Sequence, residues 1–262
     1  MSNKNKGNIN VPLVIIGLVL IVAVAGGLWF YNQSKTPPVK TANTNSKPVA
    51  NRPAQTPIVS NVLGAQPPNL LGSPNATVTV EEFADFQCGA CASVHPKMKE
   101  IISTYGSRIK FIFRNYPLQI PAHDKATEAA VAAEAAGFQG KFWDMQNLLF
   151  TNQQVWTANP EYRKIWEEYA SKIGLDVEKF KNDMAGLNAK ARVDADMSRG
   201  RALNVSSTPS IYVNGVLLQF EQLNVDTMRQ IIDAELEKSK SNNQNPTAPS
   251  APTNSAPAEP KK

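Results

Sequence analysis

The chain has 262 residues, 42% of them hydrophobic, with 27 Lys and Arg against 22 Asp and Glu and a formal charge of +5. Length allows one or two domains, but charge is spread unevenly: residues 1–10 carry +2, 32–66 carry +4 and 241–262 carry +1, leaving 67–240 at −2. The basic balance belongs to the ends, so a nucleic-acid footprint on the central part has no support.

Residues 1–10 read as a short cytoplasmic tail. Residues 11–31 (VPLVIIGLVLIVAVAGGLWFY) form an uncharged apolar run long enough to span a hydrocarbon core, with Trp29 and Tyr31 as interfacial anchors. The competing reading is a secretory signal cleaved after Ala23-Val24-Ala25. The uncleaved anchor is favoured, because apolarity continues past that triplet. Lys4 and Lys6 suggest an N-inside orientation, which Lys35, Lys40 and Lys47 beyond the helix weaken. Residues 32–66, rich in Pro, Asn, Thr and Lys without hydrophobic periodicity, read as a disordered, partly polyproline spacer. Residues 241–262 repeat that composition and read as a disordered tail.

The folded part is expected at 67–240. Residues 77–83 form a β-branched, buried strand, followed directly by Cys88-Gly89-Ala90-Cys91. A helix over about 90–105 comes next, with Val94, Met98, Ile101 and Ile102 at helical spacing, Pro96 as a kink and Gly106 as its stop. Residues 109–113 form a second strand, parallel to the first by the right-handed crossover rule. From about 121 to 200 the pattern is helical. It has an Ala-rich run (KATEAAVAAEAA) closed by Gly137, a second helix carrying Phe142 to Phe150, and a third stopped by Gly174. A fourth starts at an Asp176 N-cap, and a fifth over about 189–203 has an end weakened by Gly200. Residues 210–213, Asn214-Gly215 and 216–218 read as a hairpin with a type I′ turn. A last amphipathic helix over about 225–236 completes βαβ, helices, ββα.

The two cysteines are the only ones in the chain. The ring they can close is too small for a stabilising cross-link, since the entropic gain grows with loop length. At the first turn of a helix, unsatisfied N–H groups and the dipole favour a thiolate on Cys88. A redox-active pair is therefore favoured over a metal site or an inert pair.

Four stretches, VEEFADFQCGAC, the KFW of residues 141–143, VSSTPSIYVNG of 205–215 and Pro96 five residues past Cys91, resemble the thioredoxin fold with a helical insertion. The combination looks like the DsbA-like thiol:disulfide oxidoreductases, in particular their membrane-anchored bacterial members with Phe83-x-Asp85-x-x-Cys88. The resemblance implies that Cys88 is the exposed nucleophile and Cys91 the buried resolving partner. It places Thr208-Pro209 at the family's cis-proline position, facing the cysteines, where the Thr208 backbone pairs with extended substrate. An ordinary trans proline opening a strand is the plainer reading. Glu82, six residues before Cys88, corresponds to a buried acid that accepts the Cys91 proton, or else is a plain carboxylate. Strand alternation puts it opposite Glu81 and Phe83.

Asp85 matches the motif without a known duty. His95, four residues past Cys91, is expected to be structural or exposed rather than a thiolate-tuning or metal-binding group. His123 is expected to make a helix-start contact.

The expectation is an α/β protein: a thioredoxin fold with an inserted all-helical subdomain, preceded by one transmembrane helix. It would be a single-pass membrane protein with its catalytic domain extracytoplasmic, oxidising cysteine pairs in exported proteins. A membrane partner would reoxidise it. The disulfide itself would be the redox group, with no other cofactor and no metal, and the protein would be a monomer without nucleic-acid partners. Gly89-Ala90 leaves the redox direction unset, so a reductase or isomerase of the same fold stays open. A copper-handling module using Cys88, Cys91 and His95 is a further alternative.

Overall fold

The structure, a computed structural model, describes residues 56–58 and 60–244, with only the backbone described at 242–244. The expected N-terminal tail, the apolar segment 11–31, most of the spacer and residues 245–262 lie outside the described residues. No helix among the described residues is long and apolar enough to cross a membrane.

The strand β1 (Asn69–Gly72) opens the domain, and β2 (Val78–Ala84) leads into helix α1 (Gly89–Tyr105) and strand β3 (Ile109–Asn115). Six helices follow: α2 (Ala126–Gly137), α3 (Phe142–Thr151), α4 (Gln153–Thr157), α5 (Tyr162–Lys172), α6 (Val177–Ala185) and α7 (Leu187–Ala202). The hairpin β4 (Ser210–Val213) and β5 (Val216–Leu217) precedes a final helix α8 (Val225–Gln244). The sheet order is β1-β3-β2-β4-β5, with β2 and β3 parallel and the other pairs antiparallel. This is the expected thioredoxin fold with a helical insertion.

Alternation along β2 organises the interior. Val78, Val80, Glu82 and Ala84 share one face, and Thr79, Glu81 and Phe83 the other. On the first face the main core collects Val94, Met98 and Ile101 of α1, Phe111 and Phe113 of β3, and Met228 and Ile232 of α8. On the second, Phe83 meets Tyr116, Leu203, Val205 and Tyr212 in a smaller cluster. Several local signals hold. Asp176 accepts from Lys179 N at 2.9 Å, and Asn214 and Gly215 take the positive φ of 48° and 77° that the I′ turn requires.

Four features differ from the sequence reading. The edge strand β1 was not expected, because a four-residue segment after two prolines carries too little periodicity to see. The short helix α4 was missed for the same reason. Gly200 lies inside α7, where a Cβ would come within 2.3 Å of the Tyr116 ring; its role is close packing. The last helix continues to Gln244.

The stretch expected as a spacer is described from Thr56 onward, Val59 excepted, and there it lies against the domain. Ile58 N donates to Gly215 O at 2.9 Å, Ala65 is buried, and its amide donates to Asp196 Oδ1 at 2.9 Å. Arg114, Arg192 and Arg199 donate to the carbonyls of Ala65, Gln66, Pro67 and Val62. The strap is held by backbone and charged hydrogen bonds, which leave no apolar period in the sequence.

Candidate active site

Strand β2 ends at Ala84, and the next residues form a tight connection whose polar groups are nearly all used. Asp85 is 1% exposed. Its carboxylate accepts from Gln87 N at 2.7 Å, Leu118 N at 2.8 Å and His123 Nδ1 at 2.6 Å. Gln87 accepts from Lys125 N at 2.6 Å. The segment following β3 is thereby locked to the cysteine loop, which supplies the duty of Asp85 that the motif alone did not give. His123 contacts Asp85 beside the start of α2.

From the other side Gln153, on α4, donates through Nε2 to the carbonyls of Phe86 at 2.7 Å and Cys88 at 3.0 Å. Gln153 was invisible in the sequence, since nothing in its surroundings distinguishes it from any helix-start glutamine.

Cys88 is the N-cap of α1, with extended backbone, so its sulfur lies at the positive end of the helix dipole. Both cysteines are free thiols. Cys88 is 8% exposed and Cys91 fully buried. The Cys88 thiol donates to Thr208 O at 3.3 Å. The peptide bond between Thr208 and Pro209 is cis. The fold therefore brings three of the expected groups together: both cysteines and the Thr208-Pro209 pair.

The thiols are electrostatically unequal. The pKa of Cys88 is lowered to about 5, chiefly by a hydrogen bond from the Cys91 thiol. Burial opposes this, and the Thr208 side chain and the amides of Cys91 and Ala90 add to it. The Thr208 hydroxyl is buried without a conventional partner, leaving it available to the thiolate. Burial, then the hydrogen bond to Cys88, pushes Cys91 well above the ordinary thiol value.

Glu82 is 2% exposed, and burial alone raises its pKa to about 8. No hydrogen bond among the described residues joins it to Cys91. It lies on the sheet face covered by α1 and shares a cavity wall with His95 and Met98, one and two turns beyond Cys91. His95 is 7% exposed, stacks on Phe150 with centroids 5.0 Å apart, and pairs through Nε2 with Asn147 Oδ1 at 3.2 Å. Burial lowers its pKa. Among the described residues no group of three or more His, Cys, Asp or Glu converges as a metal site.

The arrangement is a dithiol able to exchange disulfides: a stabilised thiolate at a helix start, a shielded second thiol one turn inside, and a backbone carbonyl beside the first. Fold and site together define a thioredoxin-fold protein with a Cys-x-x-Cys centre. The profile of the Thioredoxin family matches residues 65–234, and the chain belongs to that family.

It is 34% identical over 178 residues to a probable disulfide bond formation protein D of Bacillus cereus, covering 64% of this chain and 78% of that protein. It is also 36% identical over 146 residues to a Na(+)/H(+) antiporter, NhaA 1 of Mycolicibacterium gilvum. That match covers 55% of this chain, which spans only 23% of the antiporter's length. Among solved structures, oxidised BdbD of Bacillus subtilis superposes with a TM-score of 0.54 at 24% identity, covering 65% of this chain and 93% of that one.

Proposed function

We propose that this protein is a thiol:disulfide oxidoreductase that introduces disulfides into exported proteins. A substrate thiolate attacks Cys88 Sγ; the Cys88–Cys91 bond breaks and its electron pair goes to Cys91 Sγ. A second substrate thiolate then attacks the substrate sulfur of the mixed disulfide and expels Cys88 as a thiolate. Substrate leaves oxidised and the enzyme holds two reduced cysteines, which a membrane redox partner reoxidises. The apolar segment 11–31 would tether the domain on the extracytoplasmic side, where the cytosolic thiol pool does not reduce it.

The observation that carries this reading is the unequal thiol pair. A leaving thiol of low pKa departs faster, and stabilising the Cys88 thiolate stabilises the reduced enzyme, which makes the oxidised form the stronger oxidant. A Cys88 pKa of about 5 lies between thioredoxin, at about 7, and DsbA, at about 3.5.

Glu82 serves the same direction. With its pKa at about 8 it carries a proton at neutral pH, and the expelled Cys91 thiolate, whose own pKa is high, needs one. Donation to Cys91 is thus its assigned role, and acceptance belongs to the reverse reaction. Thr208 and Pro209 form the wall against which an extended substrate segment lies.

The test is the reduction potential of the Cys88/Cys91 couple, with the thiolate titrated by its ultraviolet absorbance. We expect a value clearly above that of thioredoxin, about −270 mV, and towards that of DsbA, about −120 mV. A value at the thioredoxin end would assign the protein to reductases instead. The copper alternative has less support, because Cys88, Cys91 and His95 do not converge as a ligand set among the described residues.

A further inference from the structure

Between α1 and α3, and floored by the sheet, is a cavity of about 500 Å³. This lies within the range of small-molecule sites, roughly 300–1,000 Å³. Met98, Ile102, Phe111 and Trp143 give it largely apolar walls. At its rim His95 and Lys99 both bond to Asn147 Oδ1, at 3.2 Å and 2.8 Å, and Asp144 pairs with Lys141 at 3.3 Å. Two buried polar groups in the wall, Glu82 and Gln146, have no side-chain hydrogen-bond partner among the described residues. Glu82 lines the cavity, is 2% exposed and has no hydrogen-bond partner among the described residues. A buried carboxyl left unpaired costs free energy, and a group brought to it recovers that cost.

We propose that this cavity binds a small, neutral, largely apolar molecule carrying a carbonyl oxygen, which accepts a hydrogen bond from the Glu82 carboxyl. The ligand class follows from the walls and the charges. Glu82 carries its proton at pH 7, its pKa standing at about 8, so it presents an O–H donor to an acceptor oxygen. An anion would meet an acid that ionises at mildly alkaline pH, and the rim sets the Lys99 ammonium against the Asp144 carboxylate, so it offers a cation no net charge. The apolar walls reward an aromatic or branched-alkyl body. The mouth of the cavity lies between α1 and α3 and not at Thr208-Pro209, so substrate at Cys88 does not enter it, although Glu82 is shared with the proton transfer to Cys91.

The experiment uses the full chain, with benzophenone as a photoactivatable diaryl ketone and adducts mapped by peptide mass spectrometry. Adducts are expected on the peptides carrying Met98 and Ile102 and on that carrying Trp143. Unlabelled acetophenone should compete about fivefold better than ethylbenzene, which has a similar shape without the carbonyl; one hydrogen bond of about 1 kcal/mol accounts for that ratio. In Glu82→Leu the preference should vanish. Ile102→Trp, which fills the cavity, should suppress labelling at least tenfold.

Cys88→Ser should label as the natural chain does, so a failure of the redox reading leaves this result standing. Equal competition by ethylbenzene in the natural chain, or adducts mapping outside the cavity, overturns the proposal. The competition ratio needs no variant to fold.

Discussion

Glu81 and Glu82 are adjacent, buried carboxylates with opposite environments on the two faces of one strand. Glu81 accepts from Arg114 Nε at 2.8 Å and from Arg199 Nε and Nη2 at 2.6 Å and 2.7 Å. Burial pushes its pKa up, but the two guanidiniums outweigh this and its pKa is lowered. Glu82 has burial alone, and its pKa rises to about 8. The Glu81 face is a closed charge network, joined by Asp196, that clips the 62–67 strap onto the domain. The Glu82 face carries the cysteines, the main core and the cavity. Pairing makes an acid structural, and leaving it unpaired makes it titrate where proton transfer occurs. The sheet keeps the two uses apart.

The sharpest break in that comparison is at the sulfur itself. Cys88→Ser should reduce insulin-disulfide exchange to background and should lower the thermal midpoint of the reduced protein at neutral pH but not at about pH 4, because a thiol whose pKa falls to about 5 on folding stabilises the native state only above that pH. In the natural chain the rate of Cys88 alkylation should rise with pH through a midpoint at about 5 and level off above it. A midpoint near the ordinary thiol value would remove the basis for an oxidising centre.

The Glu81 face should respond in the opposite sense. Arg114→Met removes the guanidinium shared by Glu81 and Asp196 and the donor to Ala65 O. Losing one partner of a buried pair costs about 3–5 kcal/mol, measurable as a shift in urea midpoint. The Cys88 alkylation midpoint should stay at about 5. If it moves appreciably, the sheet does not insulate the two faces from each other.

How far the two faces were legible in the sequence follows from what each is made of. The first strand, the helix behind the cysteines and the hairpin are written in local patterns: β-branched runs, 3.6-residue spacing, Asn-Gly. Alternation also placed Glu81 and Glu82 on opposite faces. It could not say which would be paired, because Arg114 and Arg199 lie 33 and 118 positions from Glu81. The strap, Gln153 and the Asp85–His123 contact are long-range in the same way, and single-residue polar contacts leave no periodic trace. Gly200 misled for a related reason: its cause is the Tyr116 ring, far from it in sequence.

Glu82 gives the next effect by size. An acid whose pKa rises on folding holds its proton more tightly in the native state. Its burial therefore costs nothing below the unfolded value of 4.5 and progressively more up to about 8. Replacing it by Leu should raise stability relative to the natural chain across that window, by on the order of 4 kcal/mol at its alkaline end, and leave the acid side nearly unchanged. Cys88 titrates in the opposite sense in both proteins and cancels in the difference. A flat difference curve between pH 4.5 and 8 would show that the carboxyl is hydrated or paired. In exchange assays Glu82→Leu should slow opening of the disulfide while the Cys88 alkylation midpoint holds.

Two glycines give the finest test of the same division. At Gly200 on α7 an added Cβ meets the Tyr116 ring at 2.3 Å and Phe83 at 3.2 Å, all on the Glu81 face. Gly200→Ala should cost about 1–3 kcal/mol by overpacking, even though alanine is the better helix former. At Gly89, between the cysteines, nothing stands within 4 Å of the added atom. Gly89 is the first residue of α1, where helix propensity acts more weakly than in an interior, and Gly89→Ala should stabilise by at most about 0.5 kcal/mol. The ranking reverses what sequence position suggests: the glycine inside the reactive motif is the replaceable one, and the glycine in an ordinary helix is not. Differential calorimetry on the two variants distinguishes them by sign, and an equal response would mean that α7 moves off the sheet to admit the methyl group.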